Sequence, residues 1–262
     1  YIFNINIFSI LNYPCSDSIY FWHIVSVSKQ TLTENYMDNL IVSKPNNSLL
    51  GVTCAYTEDI NTSGFGPDHF IVDLENKKIA ILQSNYIPWK GYFDIIDLVD
   101  EFIFYDEMQY TKNDWRNRNK IKTSNGTQWL SIPVATKGHI SNEVRIMDAK
   151  IVDNKWATNH WNTIKQFYKK APFFLEYADK FEKLYQDCSN EELLCKVNYR
   201  FIRAICEILG IKTKLSFSQD YGLIEGKTER LVDLVKKAGG TEYISGPSAK
   251  DYINKKCFDD SG

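Results

Sequence analysis

Three short stretches carry the side chains best suited to chemistry. "QSNYIPWKGYF" (83–93) sets Gln83, Ser84 and Asn85 ahead of the aromatics Tyr86, Trp89, Tyr92 and Phe93, with Pro88 and Gly91 among them. "YDEMQYTKNDWRNRN" (105–119) holds Asp106, Glu107, Gln109, Trp115, Arg116, Asn117 and Arg118, and "SGPSAKDY" (245–252) opens on Ser245 and Gly246. The guanidinium forks of Arg116 and Arg118 suit bidentate binding of a phosphate or carboxylate. Asp106 is placed to serve as a general base, a metal ligand or a turn cap. Glu107 is the better candidate for an ion pair with the arginines. His160 lies in "WATNHWNTI", one helical turn beyond Trp156, and histidine is the usual acid or base near neutral pH. The faces of Tyr86, Trp89, Tyr92 and Trp115 suit a sugar ring or nucleobase. Plainer readings stand beside these: an aromatic corner of the core, a solvated basic turn, a packed helical histidine.

These stretches sit between recognisable elements. "KIAIL" (78–82) is a short apolar run of the buried-strand type. "YFDIIDLVD" has apolar residues at helical spacing, and "EFIFYD" is a second strand, which completes a βαβ unit. "TQWLSIPV" reads as a third strand with "NG" (125–126) as the turn before it. Three helical patterns follow: "KWATNHWNTIKQFYKK", "PFFLEYADKFEKLYQDC" and "NEELLCKVNYRFIRAICEILG". The last takes Ser189 or Asn190 as its N-cap and Gly210 as its C-cap. "KTKLSFSQ", "KTERLVDLVKKAGG" and "EYISG" add a strand, a helix and a strand. Alternation of this kind predicts an α/β fold with a mostly parallel sheet, flanking helices and a helical segment inserted in the middle. In such a sheet ligands bind at the carboxyl ends of the strands, where all three stretches would gather. Pro88 and Gly91 would then give the first stretch a tight bend holding Trp89 and Tyr92 as a wall, with Gln83 and Asn85 beneath.

Composition narrows the class. The 262 residues are 44% hydrophobic and 24% charged, enough for a sizeable core. A net charge of -2 does not suit a nucleic-acid binder. The six cysteines form no CxxC pair and have no histidine at ligand spacing, which favours reduced, cytoplasmic thiols and no metal. GxGxxG, Walker and GxSxG motifs are missing from the sequence, so no cofactor is assigned. The opening "YIFNINIFSILNYP" has no lysine or arginine before Lys29, and asparagines break it, so it reads as a strand-like segment rather than a signal or a membrane span. Only three of the 31 lysines and arginines (Lys29, Lys44 and Lys77) lie in residues 1–77. That shift sets an expected boundary near residues 74–78, between an N-terminal segment (1–77) that reads as a partial domain and an α/β domain (78–262) that reads as cut at its C-terminus.

The run from "KIAILQSNYIPWKGYFDIIDLVDEFIFYDEMQYTKNDWRNRNKIK", through "WLSIPV" and "YKKAPFF", to "KTERLVDLVKKAGGTEYISGPSAKDYI" resembles the WbqC-like family. The resemblance covers residues from about 78 onward, and several separate motifs recur in order. It implies a Rossmann-like three-layer domain and a bacterial role in O-antigen or other surface-polysaccharide biosynthesis, because members of the family occur in such gene clusters. The expected activity is a transferase of acyl, aminoacyl or glycosyl type acting on an amino sugar or sugar nucleotide, with a non-catalytic sugar- or nucleotide-binding module as the alternative. The expected partner is a small molecule, an anionic sugar nucleotide or an activated acyl donor, with no nucleic acid. Asp106 and His160 are the expected proton-handling residues. Gln83, Asn85, Tyr86, Trp89, Tyr92, Gln109, Trp115, Arg116, Asn117, Arg118, Ser245 and Gly246 are the expected binding residues.

Overall fold

The computed structural model describes residues 76–135, 144–246, 249 and 253–262, together with the backbone of a strand at 41–43. The rest of the N-terminal segment, including the strand-like opening "YIFNINIFSILNYP", lies outside the described residues. In chain order the elements are β1 (Ile41–Ser43), β2 (Lys78–Leu82), α1 (Lys90–Asp97), β3 (Glu101–Phe104), β4 (Arg118–Thr123), β5 (Gly126–Ser131), α2 (Lys155–Tyr168), α3 (Phe174–Cys188), α4 (Leu194–Leu209), β6 (Lys214–Phe217), α5 (Thr228–Lys237), β7 (Glu242–Ser245) and α6 (Lys255–Asp259).

The main sheet runs β1-β7-β2-β3-β6. Strands β7, β2, β3 and β6 are parallel, and β1 joins the edge antiparallel to β7. The parallel strands are apolar on both faces because helices cover both. Side chains alternate accordingly. Ala80, Phe102, Phe104 and Ile244 pack into one core cluster with residues of α1, α2, α3 and α4. Ile79, Ile81, Ile103 and Tyr243 pack into the other, with Leu231, Leu234 and Val235 of α5 and Phe258 of α6. The three-layer α/β architecture read from the sequence is therefore present, with α2–α4 as the inserted helical segment.

The connections set the site. From β2 the chain passes through α1 to β3 and on to β6, on one side of β2, then returns through α5 to β7 on the other side. The helices of the two directions lie on opposite faces. The topological switch point thus falls between β2 and β7, and the crevice beyond their carboxyl ends is the favoured ligand position in such a sheet.

Three local expectations are corrected. "TQWLSIPV" does not enter the main sheet: β5 pairs with β4 in a separate antiparallel hairpin, in register from Arg118↔Ser131 to Thr123↔Gly126. The turn is closed by Gly126 at φ 108, where only glycine is comfortable. Helix α4 begins at Leu194 with Leu193 as N-cap, not at Ser189 or Asn190. Residues 192–194 are held extended against the 149–151 segment, through Ile151 N–H to Glu192 O (2.8 Å) and Leu194 N–H to Ala149 O (2.9 Å), and this delays the helix. Gly210 ends it in the left-handed region as expected (φ 74). Finally, the bend after β2 is made by Ile87 at φ 45, while Gly91 lies inside α1.

Candidate functional site

Strands β2 and β3 end side by side, with Leu82 paired to Phe104, so the residues that follow them leave the sheet together. The Ser84 N–H donates to Asp106 Oδ1 at 2.8 Å. Asp106 is only 3% exposed. Burial raises its pKa above the ordinary aspartate value, while the Ser84 N–H and hydroxyl and the positive charge of Arg116 pull it partly back.

Arg116 reaches the same loop from the segment before β4. Its Nη1 donates to Asn85 Oδ1 and its Nη2 to Gln83 Oε1 at 3.0 Å. The nearest carboxylate oxygen paired with it, Asp114 Oδ2, is 4.0 Å away, and the Arg116 side chain is 17% exposed. Neutral amide oxygens orient this guanidinium without cancelling its charge. Its Nε is buried with no partner among the described residues.

Helix α4 closes the cluster from below. Asn198, fully buried, donates through Nδ2 to the Ser84 hydroxyl at 3.1 Å and to the Arg116 carbonyl at 3.0 Å. The carbonyl can only accept, so the orientation of the amide is fixed. Asn198 Oδ1 is left buried without a partner among the described residues. Gln83, Asn85, Asp106 and Arg116 are thus brought into one polar cluster, linked by Ser84 and Asn198.

The loop that carries Gln83–Asn85 is held in a strained shape. A β-branched residue with positive φ is a true outlier, and such strain concentrates where surroundings over-determine the backbone. Here Asn119 on β4 donates through Nδ2 to the Ile87 carbonyl, and the Tyr86 N–H donates to Trp115 O at 3.1 Å. Tyr92 sits beneath the loop, buried, with its hydroxyl donating to Gln83 O at 3.0 Å. Trp89 is half-buried and meets Tyr92 edge-on at 5.7 Å.

Tyr86 and His160 lie in the core rather than on the rim, 1% and 6% exposed. The Ser131 carbonyl lies 3.2 Å from His160 Nε2 and can only accept, so Nε2 carries the proton and Nδ1 accepts from the Tyr86 hydroxyl at 3.0 Å. Tyr185 OH, 2.8 Å from Tyr86 OH, then donates to it. Burial lowers the His160 pKa to about 4, so the ring is neutral near pH 7. Both ring nitrogens are occupied.

The remaining expected residues are more dispersed. Trp115 lies against Trp129 of β5 (5.2 Å, tilted), and the Arg118 guanidinium sits 4.1 Å from the Trp129 ring centre. Arg118 also donates to Asn113 O. Asn117 is buried and donates to Ile132 O at 2.8 Å. Gln109 is exposed and pairs through its backbone with Arg145. Ser245 is buried at the end of β7, and a side chain built on the following Gly246 would meet nothing within 4 Å. Glu107, expected in an ion pair with the arginines, instead accepts from the Ser218 hydroxyl. Ser218 lies directly after β6.

Sequence reasoning missed Asn119 and Asn198 as site residues and gave Ser84 no role of its own. The signal for Asn198 is an asparagine on the buried face of α4, in line with Leu194, Val197, Phe201 and Ile205. Among the described residues no group of three or more histidine, cysteine or acidic side chains comes together to hold a metal, and no helix is long and apolar enough to cross a membrane.

Residues 83–262 match the WbqC-like protein family. The uncharacterized protein Rv1507c of Mycobacterium tuberculosis is 50% identical over 184 residues, which is 70% of this chain and 78% of that protein. No solved structure matches. A match over more than half the chain establishes that the chain belongs to the WbqC-like protein family.

Proposed function

We propose that the protein is a transferase of bacterial surface-polysaccharide (O-antigen) or sugar-nucleotide biosynthesis, and that its site lies beyond the carboxyl ends of β2 and β3, next to the switch point between β2 and β7. The observation that carries this reading is the Arg116 guanidinium. It is largely buried, oriented by two amide oxygens, paired only at 4.0 Å with the part-exposed Asp114 carboxylate, and close to the buried Asp106. A structural ion pair would have spent that charge; a site for an anion keeps it.

In this reading Arg116 holds the anionic group of a sugar nucleotide or activated acyl donor, and Arg118 with Trp115 borders the same ligand. Asp106, whose pKa burial raises, accepts the proton that the acceptor's amine or hydroxyl loses as it attacks the donor carbon. The leaving group departs with its electron pair on the Arg116 side. Gln83 and Asn85 orient Arg116 and line the polar floor, with Trp89 at the side, Tyr92 behind it, and Ser245 and Gly246 on the neighbouring strand end. His160 and Tyr86 support the loop from the core. Four cysteines stand as free thiols among the described residues, which fits a cytoplasmic enzyme.

A second reading, a sugar- or nucleotide-binding module without catalysis, is favoured by one observation: His160, the other candidate for proton transfer, has both ring nitrogens occupied inside the core. A screen of thermal stability with nucleotides, sugar nucleotides and acyl donors separates the readings when joined to a product assay. Stabilisation with turnover supports the transferase, and stabilisation without turnover supports the module.

A further inference from the structure

The turn between α2 and α3 departs from the rule that large apolar side chains are covered. It runs Lys169-Lys170-Ala171-Pro172-Phe173 and enters the first turn of α3 at Phe174 and Leu175. Ala171 and Phe174 are buried and fix the turn to the core. Leu175 is 84% exposed, the most exposed large apolar residue described, and Phe173 is 41% exposed. Lys169, Lys170 and Pro172 are exposed beside them. Lys122, also exposed, is brought to the same end of α2 because its N–H donates to the Tyr168 hydroxyl at 2.8 Å. Glu176 is the one acidic residue between 169 and 178.

We propose that this helical-hairpin tip docks peripherally on an anionic lipid bilayer. Leu175 and Phe173 would enter the headgroup–acyl boundary, and Lys122, Lys169 and Lys170 would face the lipid phosphates. Two points favour a bilayer over a protein partner. Protein interfaces need a broad patch, about 800 Å² on each side, whereas the exposed large apolar side chains of this turn are two, Phe173 and Leu175. They are also depleted in lysine, while lysines flanking an apolar insertion are the usual arrangement at an anionic membrane surface, where long side chains let the charge reach the headgroups. The tip is made by the α2–α3 connection, and none of its residues belongs to the Arg116–Asp106 cluster.

Co-sedimentation of the full chain with phosphatidylcholine vesicles, with and without phosphatidylglycerol, tests the proposal. Binding is expected to the phosphatidylglycerol vesicles and to weaken with salt. Leu175→Glu should lower the partition roughly tenfold or more, and Lys169→Glu with Lys170→Glu by at least a similar factor. The melting temperature should be unchanged, since these side chains are exposed. No binding to the anionic vesicles, or equal binding by both variants and the wild type, overturns the proposal. So does self-association of the wild type that Leu175→Glu abolishes, because the tip would then be an interface between copies of this chain.

Discussion

Asn198 on α4 donates to the Ser84 hydroxyl at 3.1 Å, and through the same Nδ2 to the Arg116 carbonyl at 3.0 Å. One buried amide therefore ties the loop after β2 to the segment before β4, the two pieces of chain that supply Asp106's partner and the Arg116 guanidinium. Asn198→Leu would remove both bonds and leave the Arg116 carbonyl and the Ser84 hydroxyl short of a donor. The expected loss is about 2–3 kcal/mol of stability, the scale of buried polar groups left unsatisfied. Urea denaturation measures it. A loss under about 0.5 kcal/mol would show that the clamp is dispensable.

Glu101, at the amino end of β3, is a buried carboxylate with several donors: Lys77 Nζ at 2.8 Å, Ser216 Oγ at 2.7 Å, Lys214 Nζ at 3.1 Å and the Tyr221 hydroxyl. Burial alone would raise its pKa, but these bonds prevail and lower it to about 2. The ordinary glutamate value is near 4.3. Stability from this group is therefore fully present above about pH 4.3 and is lost as the pH falls toward 2, by roughly 3 kcal/mol in all. Glu101→Gln should lose a comparable amount at pH 7 and flatten the dependence below pH 4. An unchanged acid limb in that variant would contradict the assignment.

His160 titrates in the other part of the acid range. The folded protein keeps it neutral down to about pH 4, whereas an unfolded histidine takes up its proton near 6.5. Between those values the unfolded state binds more protons, so stability falls as the pH is lowered from about 6.5 to 4, by roughly 3 kcal/mol. His160→Gln should remove that slope while Glu101→Gln leaves it. Following the transition midpoint in urea from pH 7 to 4 gives the answer, and a slope that survives in His160→Gln would assign it to another group.

How much of this was legible in the sequence depends on where each residue's partner lies. The strand and helix pattern from "KIAIL" to "EYISG" could be read because each element carries its own period. The meeting of Gln83, Asn85 and Asp106 could be read too, because strand ends on one rim converge by topology alone. The "NG" turn and β5 could be read, but β4 could not: the inward residues of "RNRNKIKT" begin with Asn119, and a strand whose buried side is partly amide lacks the apolar alternation that marks one. Asn198 was hidden by its helix, whose spacing reads as plain core. His160 drew attention as a proton carrier, but its environment is set by Tyr86, 74 positions away in the chain, and by a carbonyl on β5. Residue type places the bend at Pro88 and Gly91, whereas Ile87 takes it because Asn119 holds its carbonyl.

The central claim is that the charge of Arg116 is kept for an anionic ligand. Its most direct test is the affinity of Arg116→Ala for whichever sugar nucleotide or acyl donor raises the melting temperature of the wild type, read against stability in the same samples. The account predicts a loss of about 1.5–3 kcal/mol in binding, roughly 10- to 150-fold, and no full rescue by Arg116→Lys, which lacks the fork. Undiminished affinity in a folded Arg116→Ala protein would contradict it.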